Sequence, residues 1–575
     1  MKINYSRQPV VAAAIVAAVA FSVWYGLDRP ASQELSPTAP IAESAAVPAP
    51  VSDPASADVS VEETVVTPPQ ADGTKLVFSK PKNVTGETID LNGPAYQYEG
   101  MTGQLVHGRV GDLDLASFAS LNDLNEGDAV SFPGFNGELH GVVEVALLDE
   151  DGVHRVGGPL DGDRKKGWFS FAYDGNAAHG LVRLNTEKLA YEIVQSASGG
   201  LQMVERPLAD MVCLSLPTFT DAALAVPGGN TGRAAAAPPI VTPILNSRPA
   251  AAAVIFMDFD GDNVNDPEWG RINAPASPLT AVQRADVFRR VKEDYICFNI
   301  NVTTDATNYK AAKVGSRMRC IVTTVDTAAP GAGGVAYLNS FAYAGKVFSK
   351  DIPCWCFNPT VKSIADTISH ECGHTFGLRH DGLVGRAEYY FGQGAGATSW
   401  GPIMGAPFTK SVSQWSRGEY KGANNYEFDI EIIANRYNGF GYAPDDFGDT
   451  PATAGKLTLI PGTQDIEQRG VIDKPRDLDV FAFTSQRGGT LLVSASGIGN
   501  QVGNLDVQLD VLNGAGVQIG TNKFDRSIGA GLNVVIAPGI NYIRIRGAGD
   551  GDVDTTGYSA YGSRGAYTIT GRLPQ

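Results

Sequence analysis

The chain has 575 residues, of which 43% are hydrophobic, and its formal net charge is −17. This length predicts roughly two to four domains rather than a single core. The negative charge argues against nucleic-acid binding, because such binding needs clustered Lys and Arg to neutralise phosphates.

An apolar run with a basic flank opens the chain. Lys2 and Arg7 precede the run over residues 9–27, which predicts a signal peptide over residues 1–27. The run also approaches the length that spans a bilayer, and it lacks a clean small-x-small cleavage site, so a signal anchor stays an alternative. We therefore expect a secreted, extracellular or periplasmic protein, in which the six cysteines favour disulfide bonds.

The composition changes repeatedly before the central part of the chain. Residues 28–74 are rich in Pro, Ala and Ser, which predicts a disordered linker. Residues 75–217 alternate short apolar runs with Gly and Asp-Gly turns, which predicts a β-rich domain of antiparallel strands. Residues 218–249 contain a second Pro/Gly/Ala-rich stretch, which we interpret as another linker.

Two further domains are predicted. Residues 250–443 mix strand-type and helix-type periodicity, which indicates an α+β domain. Residues 444–575 contain a series of candidate strands, such as Asp477–Phe483 and Asn541–Gly547, and this pattern predicts a C-terminal all-β sandwich. The expected fold class is therefore multidomain.

The stretch SHECGHTFGLRHDG, Ser369–Gly382, concentrates metal-ligand side chains. Ser363 and Asp366 stand at capping-box spacing, which predicts that a helix begins there. His370 and His374 are four residues apart on that helix, so both imidazoles project from one face.

The rest of this stretch completes a catalytic pattern. Gly377 allows the backbone to turn, which can bring His380 to the same point. Three imidazoles leave one tetrahedral position of a zinc ion open, as catalytic sites require. Glu371 can serve as the general base for the attacking water. Cys372 points away from the two helical histidines, so we expect it in the core or in a disulfide.

These residues resemble the metzincin clan of zinc endopeptidases, and the resemblance covers residues 251–442. The clan's long zinc motif matches at His370, Glu371, His374, Gly377 and His380. Met404 corresponds to the methionine of the clan's Met-turn. Asp381 directly follows the third histidine, an arrangement that resembles the reprolysin branch of the clan. Ala406 stands where astacins and serralysins carry a tyrosine, so no tyrosine ligand is expected. The resemblance implies one catalytic Zn²⁺, a zincin-like fold and residues 75–217 as a prodomain.

The clan also implies a strand above the cleft whose edge binds the substrate backbone as an added strand. Gly334, Val335, Ala336 and Tyr337 lie at the corresponding place in the sequence. The alternative is an internal strand without substrate contact.

Cys213 is the cysteine outside residues 250–443, at the end of the predicted prodomain. A thiolate there could occupy the open zinc position, as prodomain cysteines do in several metzincin families. The alternative is a disulfide from Cys213 to Cys354 or Cys356, which would pair all six cysteines. The remaining predicted pairs are Cys297 with Cys320, and Cys372 with Cys354 or Cys356.

Three aspartate-rich stretches leave calcium open as a second cofactor. They are Asp258–Asp266, Asp445–Thr450 and Gly549–Asp554. We interpret them first as turns, because Asp and Gly are common turn residues and the first stretch lacks the glutamate of a calcium loop. Residues 444–575 resemble the pre-peptidase C-terminal domain of secreted bacterial hydrolases, which implies an accessory module for substrate or surface attachment.

The sequence as a whole predicts a secreted zinc metalloendopeptidase, made as a precursor, that acts on protein or peptide substrates. One alternative is a surface adhesion protein with the zinc fold as scaffold. Another is a zinc amidase that cleaves cell-wall peptide. Cleavage specificity and oligomeric state are not encoded in any motif.

Overall fold

The computed structural model describes residues 73–89, 108–149, 152–196, 199–214, 216–218, 241–348, 350–499, 502–524 and 527–574. The predicted signal peptide or anchor, nearly all of the first linker and residues 219–240 of the second lie outside this part. Within the described ranges no helix has the length and apolar character needed to cross a membrane.

The N-terminal β region, residues 75–207, forms two sheets over a shared core in the part of the chain that is described. Its strands are β1 Lys75–Leu76, β2 Lys82–Thr85, β3 Val110–Leu113, β4 Ala129–Gly134, β5 Gly137–Val142, β6 Val145–Leu148, β7 His154–Pro159, β8 Gly167–Tyr173, β9 Ala178–Leu184, β10 Leu189–Gln195 and β11 Leu201–Pro207. The larger sheet has the order β2-β3-β11-β10-β9-β8-β7-β6, and the smaller has the order β1-β4-β5. The predicted β-rich character is confirmed, and alternating apolar residues such as Phe169 and Phe171 fill the core.

The central region is built around a mixed sheet. The strands of the region, within this sheet and outside it, are β12 Val212–Cys213, β13 Ala253–Asp258, β14 Asp262–Asp266, β15 Gly270–Ala274, β16 Ile300–Thr303, β17 Arg317–Val322, β18 Gly334–Tyr337, β19 Cys354–Cys356, β20 Trp400–Pro402 and β21 Val412–Gln414. Its helices are α1 Ala281–Asp294, α2 Ala306–Ala311, α3 Ser340–Tyr343, α4 Val361–Thr375 and α5 Asp429–Ile433.

The order of this sheet is β12-β18-β19-β17-β13-β16. The pairs β16–β13, β13–β17 and β17–β19 are parallel, whereas β18 is antiparallel to β19. Strand β12 directly follows the N-terminal β region along the chain and pairs with the side of β18 that faces away from β19. The predicted boundary near residue 217 is therefore bridged by strand pairing.

The C-terminal region is a β-sandwich. Its strands are β22 Gly455–Lys456, β23 Asp465–Ile472, β24 Asp479–Ser485, β25 Gly489–Gly497, β26 Val507–Leu512, β27 Gln518–Asn522, β28 Gly529–Ile536, β29 Gly539–Gly547 and β30 Gly565–Arg572. The two sheets, β22-β24-β29-β26-β27 and β23-β30-β25-β28, enclose one apolar core.

The sandwich docks on the C-terminal end of α1. Glu293 Oε1 accepts a hydrogen bond of 3.0 Å from Ala566 N, and Asp294 Oδ1 accepts one of 2.7 Å from Asn504 Nδ2. Asp294 Oδ2 also accepts from Ser369 Oγ of α4, at 2.5 Å. Buried polar groups therefore connect the sandwich to the helix that carries the histidine motif.

Candidate active site

Helix α4 begins with a capping box. Thr360 Oγ1 accepts from Ser363 N and Ser363 Oγ accepts from Thr360 N, both at 3.1 Å. The predicted pair of Ser363 and Asp366 is therefore wrong, because Ser363 already occupies the third helical position. Asp366 instead pairs with Lys362 Nζ at 2.6 Å, one helical turn away.

The three motif histidines converge. His370 Nε2 and His374 Nε2 lie 3.0 Å apart, as expected for two residues one turn apart on a buried helix face. Gly377 has φ of +105°, a conformation that disfavours a side chain. The chain then returns, and the His380 ring centroid lies 4.7 Å from that of His374.

Each imidazole is held by its second nitrogen. His370 Nδ1 donates to Ile403 O at 2.9 Å, and His374 Nδ1 donates to Leu378 O at 2.7 Å. His380 Nδ1 lies 3.0 Å from Glu388 Oε1. These bonds fix the tautomer that leaves each Nε2 directed at the common centre, which is how ligating histidines are usually oriented.

His370 and His374 are in the protonation state that metal binding needs. Burial, together with the neighbouring His380, lowers the pKa of His370 to about 3. Burial also lowers the pKa of His374 well below its usual range. Neutral imidazoles at neutral pH are the form that binds a metal.

Cys213 completes the cluster. Its Sγ lies 3.2 Å from His380 Nε2, and the ligand atoms of Cys213, His370, His374 and His380 all lie within 4.8 Å of one another. Three imidazole nitrogens and one sulfur form a donor set suited to tetrahedral zinc. These residues therefore fit the metal that the motif implies.

Glu371 lies beside the histidines and is fully buried. Among the described residues, neither of its carboxylate oxygens has a hydrogen-bond partner. It packs against β18, since a Cβ atom placed on Gly334 would lie 2.6 Å from Glu371 Oε1. A buried carboxylate without a protein partner is available to a water molecule or a substrate.

Met404 and Asp381 support this arrangement of the histidines. Met404 is fully buried, and a Cβ atom on Gly373 would lie 2.6 Å from Met404 Sδ. Asp381 N donates to Met404 O at 2.9 Å, which joins the loop of the third histidine to the Met404 turn. Ile403, which accepts the hydrogen bond from His370, belongs to the same turn.

Two residues at the site have no counterpart in the sequence predictions. Glu388 holds His380, and the Tyr389 hydroxyl lies 3.3 Å from His380 Nε2 and 3.6 Å from Cys213 Sγ. In the sequence, Ala406 is the one residue on which the expectation of no tyrosine ligand rests. A tyrosine hydroxyl nevertheless reaches the cluster from another loop, whose residues have no motif spacing.

The chain around Cys213 runs along β18. Val212 pairs with Tyr337 and Cys213 with Ala336, in antiparallel register. Two flanking hydrogen bonds extend the pairing: Leu338 N donates to Met211 O at 3.1 Å, and Gly333 N donates to Leu216 O at 2.6 Å. Strand β18 is thus paired with β19 on one side and is covered on its other side by residues 211–213 and 216.

A buried ion pair fastens the same chain to the zinc motif. Arg379, the residue before His380, donates through Nε to Asp210 Oδ1 at 2.9 Å and through NH1 to Glu427 Oε1 at 2.7 Å. Burial raises the pKa of Asp210, and the charge of Arg379 opposes this shift.

The other cysteines are buried. Cys297, Cys320, Cys354, Cys356 and Cys372 carry free thiols, so the structure does not contain the predicted disulfides between them. Cys354 Sγ lies 3.9 Å from Cys372 Sγ, whereas Cys356 Sγ donates to Ile364 O at 3.7 Å. A disulfide from Cys213 to Cys354 or Cys356, the alternative given for this cysteine, is not favoured, because Cys213 lies at the histidines.

The first aspartate-rich stretch is a hairpin with arginine partners. Asp258 and Asp262 both pair with Arg319, and Asp260 pairs with Arg284 at 2.9 Å. These ion pairs support the interpretation as a turn rather than a calcium loop.

Comparison with known proteins finds a similarity for the part of the central region that contains the histidine motif. Residues 289–381 match Reprolysin_3, described as metallo-peptidase family M12B reprolysin-like. Among solved structures, the pre-peptidase C-terminal domain of a collagenase from Bacillus anthracis matches with 12% identity and a TM-score of 0.15, over 22% of this chain and 95% of that chain. Comparison with curated proteins gives no match.

Proposed function

We propose that this chain, a zinc metalloendopeptidase by its match to the reprolysin-like family, is a secreted precursor kept latent by its own residues 208–218. The observation that carries the proposal is the position of Cys213. Its thiol belongs to the same ligand cluster as the three motif histidines.

The residues of the site have separate roles in peptide hydrolysis. His370, His374 and His380 would hold a zinc ion, which would supply Lewis-acid chemistry and lower the pKa of a water molecule. Glu371 accepts a proton from the attacking water and returns it to the leaving amine. Its burial and its lack of a protein partner support this role.

The substrate is a protein or peptide whose backbone pairs with the edge of β18. Such pairing supplies main-chain hydrogen bonds, while side-chain pockets give specificity. Residues 211–213 and 216 pair with this strand in the precursor. The 208–218 segment therefore occupies the substrate strand position and, through Cys213, a ligand position at the metal. Its removal would free both.

The test of this proposal is a pair of variants of the uncleaved precursor. Cys213→Ser should raise hydrolysis of a small peptide by about tenfold or more, because a hydroxyl is a much weaker zinc ligand than a thiolate. Cys297→Ser, a buried thiol of the same region that is away from the cluster, is the matched control. A Cys213→Ser precursor as inactive as wild type would contradict latency through this thiol.

The role of Glu371 is tested after the precursor has been activated. Glu371→Gln should retain one equivalent of zinc by elemental analysis and lose turnover by roughly a thousandfold. Glu467→Gln, an exposed position on the sandwich, should change neither quantity. Wild-type turnover in Glu371→Gln would exclude the general-base role.

A scaffold function in adhesion is not favoured, since a scaffold has no need of a buried carboxylate without a partner beside three histidines. Export rests on Lys2, Arg7 and the apolar run 9–27 and is tested by the location of the expressed precursor. Attachment through residues 444–575 is tested by binding of the precursor to insoluble substrates.

A further inference from the structure

The N-terminal β region places an arginine against the central region. Arg183 lies on β9, where the neighbouring Val182 faces the core of the N-terminal β region. Because side chains alternate along a strand, Arg183 points to the opposite face together with Leu181, which packs on Trp269 and Tyr337 of the central region. Arg183 Cζ lies over both rings, 5.4 Å from each ring centroid. The guanidinium of one region therefore contacts two aromatic faces of the other.

The charge of Arg183 is buried. The residue is 5% exposed, and among the described residues its Nε and NH1 have no hydrogen-bond partner. Burial is the main cause that lowers the pKa of Arg183, Tyr337 opposes the shift and the charge of Arg164 adds to it. Burying a polar group without a hydrogen bond costs free energy, and the attraction of a cation to an aromatic face offsets such a cost. The two rings are therefore the groups that accommodate this cation.

Trp269 and Tyr337, the aromatic pair, are held in place by the central region itself. Tyr337 OH donates to Glu268 O at 3.0 Å, and Trp269 Nε1 donates to Pro353 O at 2.9 Å. The two ring centroids lie 4.7 Å apart with an angle of 49° between the ring planes. Since neither hydrogen bond involves the N-terminal β region, we expect the aromatic pair to keep its orientation when that region leaves.

The aromatic pair borders the strand that a substrate would pair with. Tyr337 is the last residue of β18, and Val212 lies directly opposite it. Residues that are directly opposite project their side chains on the same face, about 5 Å apart. Val212 accordingly packs in the same buried cluster as Tyr337, whereas Cys213, the next residue, reaches the histidines. A long substrate side chain in the place of Val212 would extend along the Tyr337 ring toward the position of the Arg183 guanidinium.

We propose that the aromatic pair is a specificity subsite for a cationic substrate side chain, and that Arg183 fills this subsite in the precursor. The inference rests on the proposed function, in which the 208–218 segment and the N-terminal β region leave on activation. An apolar subsite would be filled by an apolar side chain, which costs less to bury than a guanidinium. Arg should bind better than Lys, because the planar guanidinium stacks on aromatic faces and is more weakly hydrated than an ammonium group.

The first experiment measures the melting temperature of the full-length precursor. Arg183→Met keeps an unbranched side chain but removes the cation, and it should lower the melting temperature by about 3 °C. Arg183→Lys keeps a cation and should lower it by less. A merely apolar contact predicts the reverse order, because methionine relieves the burial of a charge. Arg469→Met, at an exposed position on the sandwich, is the matched control and should melt with wild type.

The second experiment uses precursor that has been cleaved between residues 218 and 241 and freed of its N-terminal fragment. Synthetic peptides carry Arg, Lys or Met in turn at each of the three positions before the cleaved bond. At one of these positions kcat/KM should be higher for Arg than for Met by about tenfold or more, with Lys between them. Trp269→Leu should reduce this Arg-to-Met ratio. The wild-type ratio is decisive by itself, so poor folding of Trp269→Leu would not remove the test.

Either of two outcomes would overturn the subsite. One is an Arg183→Met precursor that melts at or above the temperature of wild type. The other is equal kcat/KM for the Arg and Met peptides at all three positions. Absence of cleavage of every peptide would instead contradict the proposed peptidase function, and the melting temperatures of the Arg183 variants would then decide whether the aromatic pair selects a cation.

Discussion

At the scale of single residues, the absence of one side chain leaves room for Glu371, the proposed general base. Gly334 lies against Glu371 because no Cβ atom occupies the space between β18 and α4. A methyl group there would lie 2.6 Å from Glu371 Oε1 and 2.6 Å from Thr367 Cγ2, closer than non-bonded atoms approach. Both neighbours are buried, so neither can move aside freely.

Gly334→Ala should therefore displace the Glu371 carboxylate. We expect kcat of the activated enzyme to fall by about tenfold or more, because a small misplacement of a catalytic group is costly. Zinc content should stay at one equivalent, since no histidine is touched. Gly200→Ala, where the nearest atom would lie 3.6 Å from the added Cβ, is the control, and a kcat equal to wild type in Gly334→Ala would refute the contact.

The residue scale also shows where sequence reasoning is effective. The spacing of His370, His374 and His380 determines one helix face and one turn, so the cluster follows from local geometry. The sequence does not decide between a metal-ligand role and a disulfide for Cys213, because the position of this residue depends on which strand residues 212–213 pair with. Glu388 and Tyr389 lie on a loop, and a loop has no periodic sequence pattern from which the direction of a side chain could be predicted.

At the scale of elements, the short strand β12 is the decisive one. It contributes only Val212 and Cys213 to the sheet, yet it covers the edge that a substrate would use. Its backbone bonds are extended by Met211 and Leu216, and Asp210 adds the ion pair with Arg379. The segment has the main features of a peptide ligand: backbone pairing, a charged anchor and a metal-binding side chain.

A synthetic peptide of residues 208–218 should therefore inhibit the activated enzyme in trans. Inhibition should be competitive with a peptide substrate, and the Cys213→Ser peptide should be weaker by about tenfold or more because it lacks the thiolate. Initial rates at several peptide concentrations measure this. A scrambled peptide of the same composition is the control, and equal inhibition by both would show that pairing with β18 is not responsible.

Most elements were predictable because their patterns are local. The alternation in Asp477–Phe483 and the four-residue spacing of His370 and His374 depend on residues that are close in sequence. The start of α4 was misplaced because Ser363 can serve either as a cap or as the third residue of a capping box.

At the scale of the whole molecule, the sandwich is connected to the catalytic core through buried acids. Glu293 at the end of α1 is 2% exposed and receives a hydrogen bond from Ala566 N. Burial is the main cause that raises its pKa to about 8, the adjacent Asp294 adds to the shift, and Lys292 opposes it. The neutral carboxyl is therefore favoured in the folded chain.

The raised pKa of Glu293 makes the stability of the contact between α1 and the sandwich depend on pH. A folded pKa of about 8 above an unfolded value of about 4.3 means that the contribution of Glu293 to stability is full below the unfolded pKa. It declines as the pH rises through the folded pKa. Glu293→Gln keeps an acceptor for Ala566 N but cannot ionise, so this loss should be absent in the variant.

We expect the melting temperature of Glu293→Gln to exceed that of wild type by about 5 °C at pH 9, with the difference shrinking toward pH 5. Calorimetry of the full-length precursor across this range measures it. Glu467→Gln, exposed on the sandwich, should follow wild type. Parallel curves for Glu293→Gln and wild type would show that Glu293 is not buried as a neutral acid.

The covalent connection between residues 208–218 and the catalytic region has a kinetic consequence. A ligand tethered to its own binding site experiences an effective concentration on the order of millimolar, so under the proposed latency even modest intrinsic affinity would keep an intact precursor inactive. A single cut between residues 218 and 241 would convert that intramolecular contact into a bimolecular one. Occupancy of the cleft would then depend on dilution: nicked molecules crowded together would re-inhibit one another, and the same molecules dispersed after release would become active.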